Sequence, residues 1–367
     1  MIPLFKVHMP DTVVGPLTET LLSGYIGQGP KVDLFEKGLG PWVGLSNAVA
    51  VNSGTSALHL ALHLAGVGAG TEVISTPMTC VATNSPVLCV GAQIVWADID
   101  PWTGNIDPLD VERKITGKTR AILAVHWGGY PCELGALGAV AAKYGVALIE
   151  DAAHAFGATY RGKKIGSVSP YTTFSFQAIK HLTTGDGGLL TVRSNDEYRR
   201  AKLLRWYGID RETPRRDLRC EEDIKEIGFK FHMNDLAATI GLEQLKTVGR
   251  VLEAHRANAA AYDVAFADLR RVKKLRYAKD REGSYWLYTI RTPDPDGFLT
   301  FMAERDVMVS KVHVRNDLHT AFRPFRKNLP GVDEFSAMEM SIPVGWWVGE
   351  GERKNIIGAV EAWDRSA

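Results

Sequence analysis

Seven short apolar segments recur along the chain with helical or loop material between them: Ala48–Val51, Glu72–Ser75, Gln93–Ala97, Ala121–Val125, Ala147–Glu150, Thr172–Phe176 and Gly188–Val192. Strands alternating with helices at this spacing predict a mostly parallel, doubly wound α/β sheet of seven strands. After Asn52–Ser56, the positions Ala57, Leu58, Ala61, Leu62 and Ala65 fall at helical spacing, with Thr55 or Ser56 expected to cap that helix. Asn234–Val251 reads as a further helix through Leu236, Ile240, Leu242 and Leu245, and His255–Leu269 continues helical. Ser284–Thr292 returns to strand-like alternation through Trp286, Tyr288 and Ile290. This places a large α/β domain over residues 1–250 and a smaller C-terminal α+β domain over 251–367, a division that a chain of 367 residues invites. Arg211–Glu222, crowded with charge and holding Pro214, is expected to be an exposed loop.

The composition narrows the partner. With 45% hydrophobic and 23% charged residues the chain has an ordinary globular make-up. A net charge of +1 gives no general attraction for nucleic acid or an anionic membrane, which points to a small molecule. Cys80, Cys89, Cys132 and Cys220 are scattered without a CxxC pair, so neither a zinc site nor a disulfide framework is suggested. With no secretory leader pattern at Met1–His8 and no apolar run of spanning length, a cytoplasmic location is expected.

In an open α/β sheet, ligands bind outside the carboxyl ends of the strands. The residues with chemical potential fall there: Gly54, Thr55 and Ser56 after the first segment, Thr79 and Cys80 after the second, His126 after the fourth, Asp151 and His154 after the fifth, and Ser175 to Lys180 after the sixth. Lys180 closes Ser175-Phe-Gln-Ala-Ile-Lys180 and precedes a glycine-rich stretch ending at Gly188, where backbone can approach a ligand closely. A lysine amine forms a Schiff base with an aldehyde cofactor. A lysine for the aldehyde, a serine for the phosphate and an acid for the ring nitrogen form the protein side of pyridoxal 5′-phosphate chemistry. Each residue also has a blander reading: Lys180 as a surface charge, Asp151 as a helix cap, Gly54–Ser56 as a plain helix start, His126 as a core histidine. Asp151 paired with Lys180 favours the cofactor. Gly157–Lys164 nearly spells a phosphate-binding loop but lacks its Ser or Thr, and Gly66–Gly70 follows a helix instead of opening one, so both read as turns.

Taken together, Ser23–Pro30, Ser53–Leu58, Glu150–His154, Ser175–Gly188 and Met233–Leu245 resemble the fold-type I, pyridoxal-phosphate-dependent sugar aminotransferases of the DegT or StrS family, over nearly the whole chain. By that resemblance Lys180 carries the cofactor, Asp151 pairs with its pyridine nitrogen and His154 lies near its phenolic oxygen. Gly54, Thr55, Ser56 and Ser175 hold its phosphate. The resemblance further implies transfer of an amino group from L-glutamate to a keto- or aldehydo-sugar, nucleotide-linked, in polysaccharide or amino-sugar biosynthesis. It also implies a homodimer with shared active sites, with Gly228–His232 as the loop lent to the partner.

There are departures from the family pattern. Cys80 stands where many relatives place a ring over the cofactor, leaving a thiol contact. Lys230 occupies a place often held by asparagine and brings a positive charge towards the phosphate. Val312–His319 is polar, and His313, Arg315 and Asn316, with Tyr25 and His126, are candidates to read the substrate; a solvated loop is the equal alternative. A sugar dehydratase on the same scaffold would carry histidine in place of Lys180, and a non-catalytic protein would have no need of Lys180, Asp151 and Ser175 together.

Overall fold

The computed structural model describes residues 1–212 and 223–366, so most of the charged loop expected at 211–222 lies outside the described residues. The seven apolar segments form one sheet: β1 (Ala48–Val51), β2 (Glu72–Ser75), β3 (Gln93–Trp96), β4 (Thr119–Val125), β5 (Ala147–Asp151), β6 (Tyr171–Ser175) and β7 (Gly188–Val192). Their spatial order is β1-β7-β6-β5-β4-β2-β3. Only β7 runs against the rest, pairing antiparallel with both β1 and β6. This is the fold-type I architecture.

Successive residues of a strand face opposite sides of the sheet, and here both sides are covered. In β1, Ala48 and Ala50 enter the core beneath helices Pro30–Val43 and Leu134–Tyr144, while Val49 and Val51 enter the core under Gly54–Leu64. Ile122 and Ala124 against Ala121 and Leu123 repeat that division in β4. Two-sided burial explains why these strands read as continuous apolar runs. A third core, with Tyr262, Phe266, Tyr288, Phe298 and Ile342, surrounds a small antiparallel sheet of residues 273–274, 288–291 and 339–342.

Several boundaries differ from those predicted. Ser53, not Thr55 or Ser56, caps helix Gly54–Leu64: its side chain accepts the Ser56 amide. The helix expected over Asn234–Val251 is two helices, Asp235–Leu245 and Val248–Ala265, because the chain turns at Thr247 while the apolar period continues through the break. The second ends at Ala265, short of Leu269. The strand expected from Ser284 starts at Tyr288, since Tyr285 adopts a positive φ of 53° that no ladder accepts. Gly157–Lys164 is a turn region as expected: Thr159–Tyr160 pairs with Lys163–Lys164 around Arg161 and Gly162, both at positive φ.

Candidate active site

At the carboxyl edge of the sheet lies a cavity of about 510 Å³. β6 delivers Ser175 to its wall, and the turn that follows delivers Lys180. That turn is built locally: the Lys180 amide donates to the Gln177 carbonyl (2.9 Å), and the Gln177 side chain accepts the Ile179 amide (3.0 Å). Its ends are held by the Phe176 amide donating to Gly187 and the Thr184 amide donating to Phe176. The Lys180 amine sits 3.5 Å from the centre of the Trp286 ring. Burial pushes Lys180 down to about 7, against the opposing pull of Asp151 and Cys80. An amine so placed is partly uncharged, and nucleophilic, at neutral pH.

Asp151 is the last residue of β5 and only 4% exposed. Its Oδ1 accepts the Ala153 amide (3.0 Å) and its Oδ2 accepts the Thr83 hydroxyl (2.7 Å). Because Thr83 donates to Asp151, the 2.8 Å contact between the Thr79 and Thr83 hydroxyls must run from Thr79 to Thr83. A carboxylate fixed at both oxygens in a buried wall is a preorganised counter-charge. His154 stacks on Trp286 at 3.8 Å, and its buried Nδ1 has no partner in the protein. Burial, and then the Lys180 charge, hold His154 well below its ordinary value, so the imidazole is neutral.

Gly54 and Thr55 open a helix whose first amides no intrahelical carbonyl can satisfy, and both line the cavity. A Cβ at Gly54 would come 2.9 Å from the Ser175 Cβ, so glycine lets the helix start press against the end of β6. Helix amides and a serine hydroxyl side by side make an anion cradle.

The remaining predicted residues divide between cavity and elsewhere. Cys80 and His313 line the cavity with Thr79 and Thr83. Ser56 does not line it: its hydroxyl donates to Asn52 (2.6 Å). His126 is fully buried on the other side of the sheet end, against Glu150 (2.8 Å). Arg315 is committed to Asp317 and Asp333, and Asn316 to Asn84 and the Thr79 carbonyl, so both brace the wall behind His313. Tyr25 is exposed in a separate groove with Arg205 and Trp206. The Lys230 backbone bridges to Trp206 and accepts the Asn52 amide group, and this chain's cavity does not include it.

Phe5, Trp286 and Thr83 line the cavity without having been singled out as site residues in the sequence. Phe5 and Trp286 lie far apart in the chain and stack at 4.9 Å, a meeting that no local pattern announces. Thr83, four residues after Thr79 in a segment that opens a helix, was open to a one-face argument.

An amine shifted into the neutral range, a fixed carboxylate, an unpartnered imidazole nitrogen and an anion cradle face one space. These residues fit a phosphorylated aldehyde with a basic ring nitrogen. Residues 11–361 match the DegT/DnrJ/EryC1/StrS aminotransferase family, and the chain belongs to it. The chain is 41% identical over 256 residues to the spore coat polysaccharide biosynthesis protein SpsC of Bacillus subtilis (strain 168), spanning 69% of this chain and 66% of SpsC. It is 40% identical over 258 residues to the GDP-perosamine synthase of Caulobacter vibrioides, 70% of this chain and 68% of that one. The crystal structure of sugar aminotransferase CalS13 from Micromonospora echinospora superimposes with a TM-score of 0.95 at 40% identity, covering 99% of this chain and 100% of CalS13. The protein is a pyridoxal-phosphate-dependent sugar aminotransferase.

Proposed function

We propose that the cavity moves an amino group from L-glutamate to a keto- or aldehydo-sugar carried on a nucleotide, within polysaccharide biosynthesis. The observation that carries this reading is the convergence of Lys180, Asp151 and the start of helix Gly54–Leu64 on one space. The names of SpsC and GDP-perosamine synthase support the sugar and its setting. In this assignment Lys180 holds the cofactor aldehyde, Asp151 meets the ring nitrogen, His154 lies beside the phenolic oxygen, and Gly54, Thr55 and Ser175 hold the phosphate. Pyridoxal phosphate, when bound, supplies a carbonyl that takes up the amino group and a ring that accepts the electron pair released with the α-proton.

The chain's own residues do the rest. With the cofactor and donor bound, Lys180 would take the proton from the donor's α-carbon as general base and return it two bonds away, to the carbon that had been the cofactor's aldehyde; an amine near neutrality suits both directions. The Asp151 carboxylate, held by Thr83 and Ala153, keeps the ring nitrogen protonated. Neutral His154 has a free Nδ1 with which to bond a polar oxygen. The polypeptide divides into a cofactor-binding unit over 1–250 and a smaller unit over 251–367; helix Val248–Ala265 links them, with Leu252 under the sheet and Tyr262 in the third core, and Leu287, Phe322 and Phe335 of the smaller unit pack in the core under Gly54–Leu64. The assembly is a homodimer in the cytoplasm, with Gly228–His232 lent to the partner's site. No helix among the described residues is long and apolar enough to cross a membrane.

The test is Lys180→Ala. Borohydride reduction followed by peptide mapping should place the reduced cofactor on Lys180 in the native chain, and the variant should lose turnover; label on Lys163 or Lys164 would sink the assignment. The same variant probes the shared site. Mixed with a Lys230→Glu chain, it should recover activity at one of the two sites of the heterodimer, and no recovery after proven exchange removes the lent-loop reading.

A further inference from the structure

We propose that Trp286 is a positioning residue for Lys180: its indole face holds the lysine amine in place whenever that amine is not bonded to the cofactor. The inference rests on Lys180 as the Schiff-base lysine.

The geometry is specific. The amine lies 3.5 Å from the ring centre, well inside the roughly 6 Å over which an aromatic face attracts a cation. Trp286 is 3% exposed, and its Nε1–H donates to the carbonyl of Ile179 (2.9 Å), the residue directly before the lysine. The indole is thereby bonded to the turn that carries the amine it faces. Phe5 (4.9 Å) and His154 (3.8 Å) stack on it nearly parallel, which fixes the plane of the ring. Among the described residues the amine is in no ion pair, and the indole is the aromatic face it lies over.

A lysine stem is long and flexible, and a freed amine without a docking face would wander through the cavity. An aromatic face keeps it at hand and favours its charged form, opposing burial. The groups around the amine are Asp151 and Cys80, which favour charge, His154 and His313, both held neutral by burial and by the lysine itself, and Asp186 on the rim.

The experiment uses the full chain freed of cofactor, with pyridoxal phosphate added back over a range of pH and its capture followed by absorbance. Only the uncharged amine attacks, so the capture rate rises with pH, with a midpoint near 7 in the native chain. Removing the indole face destabilises the charged form and lowers the midpoint. Trp286→Leu should move it down by about half a unit to one unit, and Trp286→Phe, which keeps a weaker face, by less. A merely structural role predicts the opposite sign, because a cavity opened to water would relieve desolvation and raise the midpoint. An unchanged or raised midpoint in Trp286→Phe overturns the proposal, and that variant decides the matter if Trp286→Leu fails to fold. Lys180→Ala is the control: if it captures pyridoxal phosphate with the native profile, the Lys180 reading fails, whereas a silent control with no shift in the Trp286 variants rejects only the role of Trp286.

Discussion

Glu150 and Asp151 follow one another on β5, each has a histidine nearby, and they meet opposite fates. Strand alternation turns them to different faces. Glu150 is fully buried and fully employed: Oε2 meets His126 Nε2 (2.8 Å), and Oε1 accepts the Ser169 amide (3.0 Å) and the Thr172 hydroxyl (3.2 Å). The Cys132 amide donates to His126 Nδ1 (3.0 Å), which places the ring proton on Nε2, facing Glu150. Nothing in that pair is left to offer. Asp151 is bonded at both oxygens too, but it faces an open cavity, and its neighbour His154 keeps a nitrogen without a partner. Closed capacity marks structure, and leftover capacity marks chemistry.

That contrast can be broken by substitution. Asp151→Asn should fold normally yet slow the donor half-reaction by at least about a hundredfold, the scale of losing one preorganised electrostatic group. Stopped-flow absorbance with glutamate measures it, and a near-native rate would reduce Asp151 to a structural role. Glu150→Ala should do the reverse. It strips the partner from His126, Ser169 and Thr172 and should cost about 3 kcal/mol of stability, as removing one member of a buried polar set does. A lowered denaturant midpoint with near-native turnover per folded chain is expected; lost turnover in a stable chain would place Glu150 in the chemistry. The smallest effect is expected at Ser56→Ala. The Ser56 hydroxyl serves Asn52, not the cavity, so cofactor affinity should stay within about twofold, well under the tenfold that a lost 1.4 kcal/mol contact would give. A tenfold loss would return Ser56 to the phosphate site.

The sheet was legible because its strands are buried on both faces, which leaves short apolar runs with sharp polar ends. The strand-end residues were legible for the same reason: once the runs are placed, Gly54, Cys80, Asp151, Ser175 and Lys180 must share one edge. The cap at Ser53 was obscured by Thr55 and Ser56, two equally able oxygens close behind it. His126 directly follows β4 and Asp151 ends β5, and only the packing shows that one turns to Glu150 and the other to the cavity. Trp286 read as one more alternating apolar position within the strand expected from Ser284. Its meeting with Phe5, His154 and Lys180 is tertiary, assembled from four distant stretches of chain.

The lone reversed strand has a mechanical consequence. In the parallel part of the sheet, a loop leaving a strand end is anchored at that end and free to lengthen into its helix. The loop carrying Lys180 is clamped at both ends, because Ser175 and Gly188 are paired across β6 and β7. It behaves as a gauge of set length. Adding or deleting a residue inside it would shift the lysine against Asp151 with no slack to absorb the change, whereas the same edit in the loop between β3 and β4 would leave that spacing alone. Engineering of this scaffold should treat the interval from Phe176 to Gly187 as fixed in length and take its freedom elsewhere.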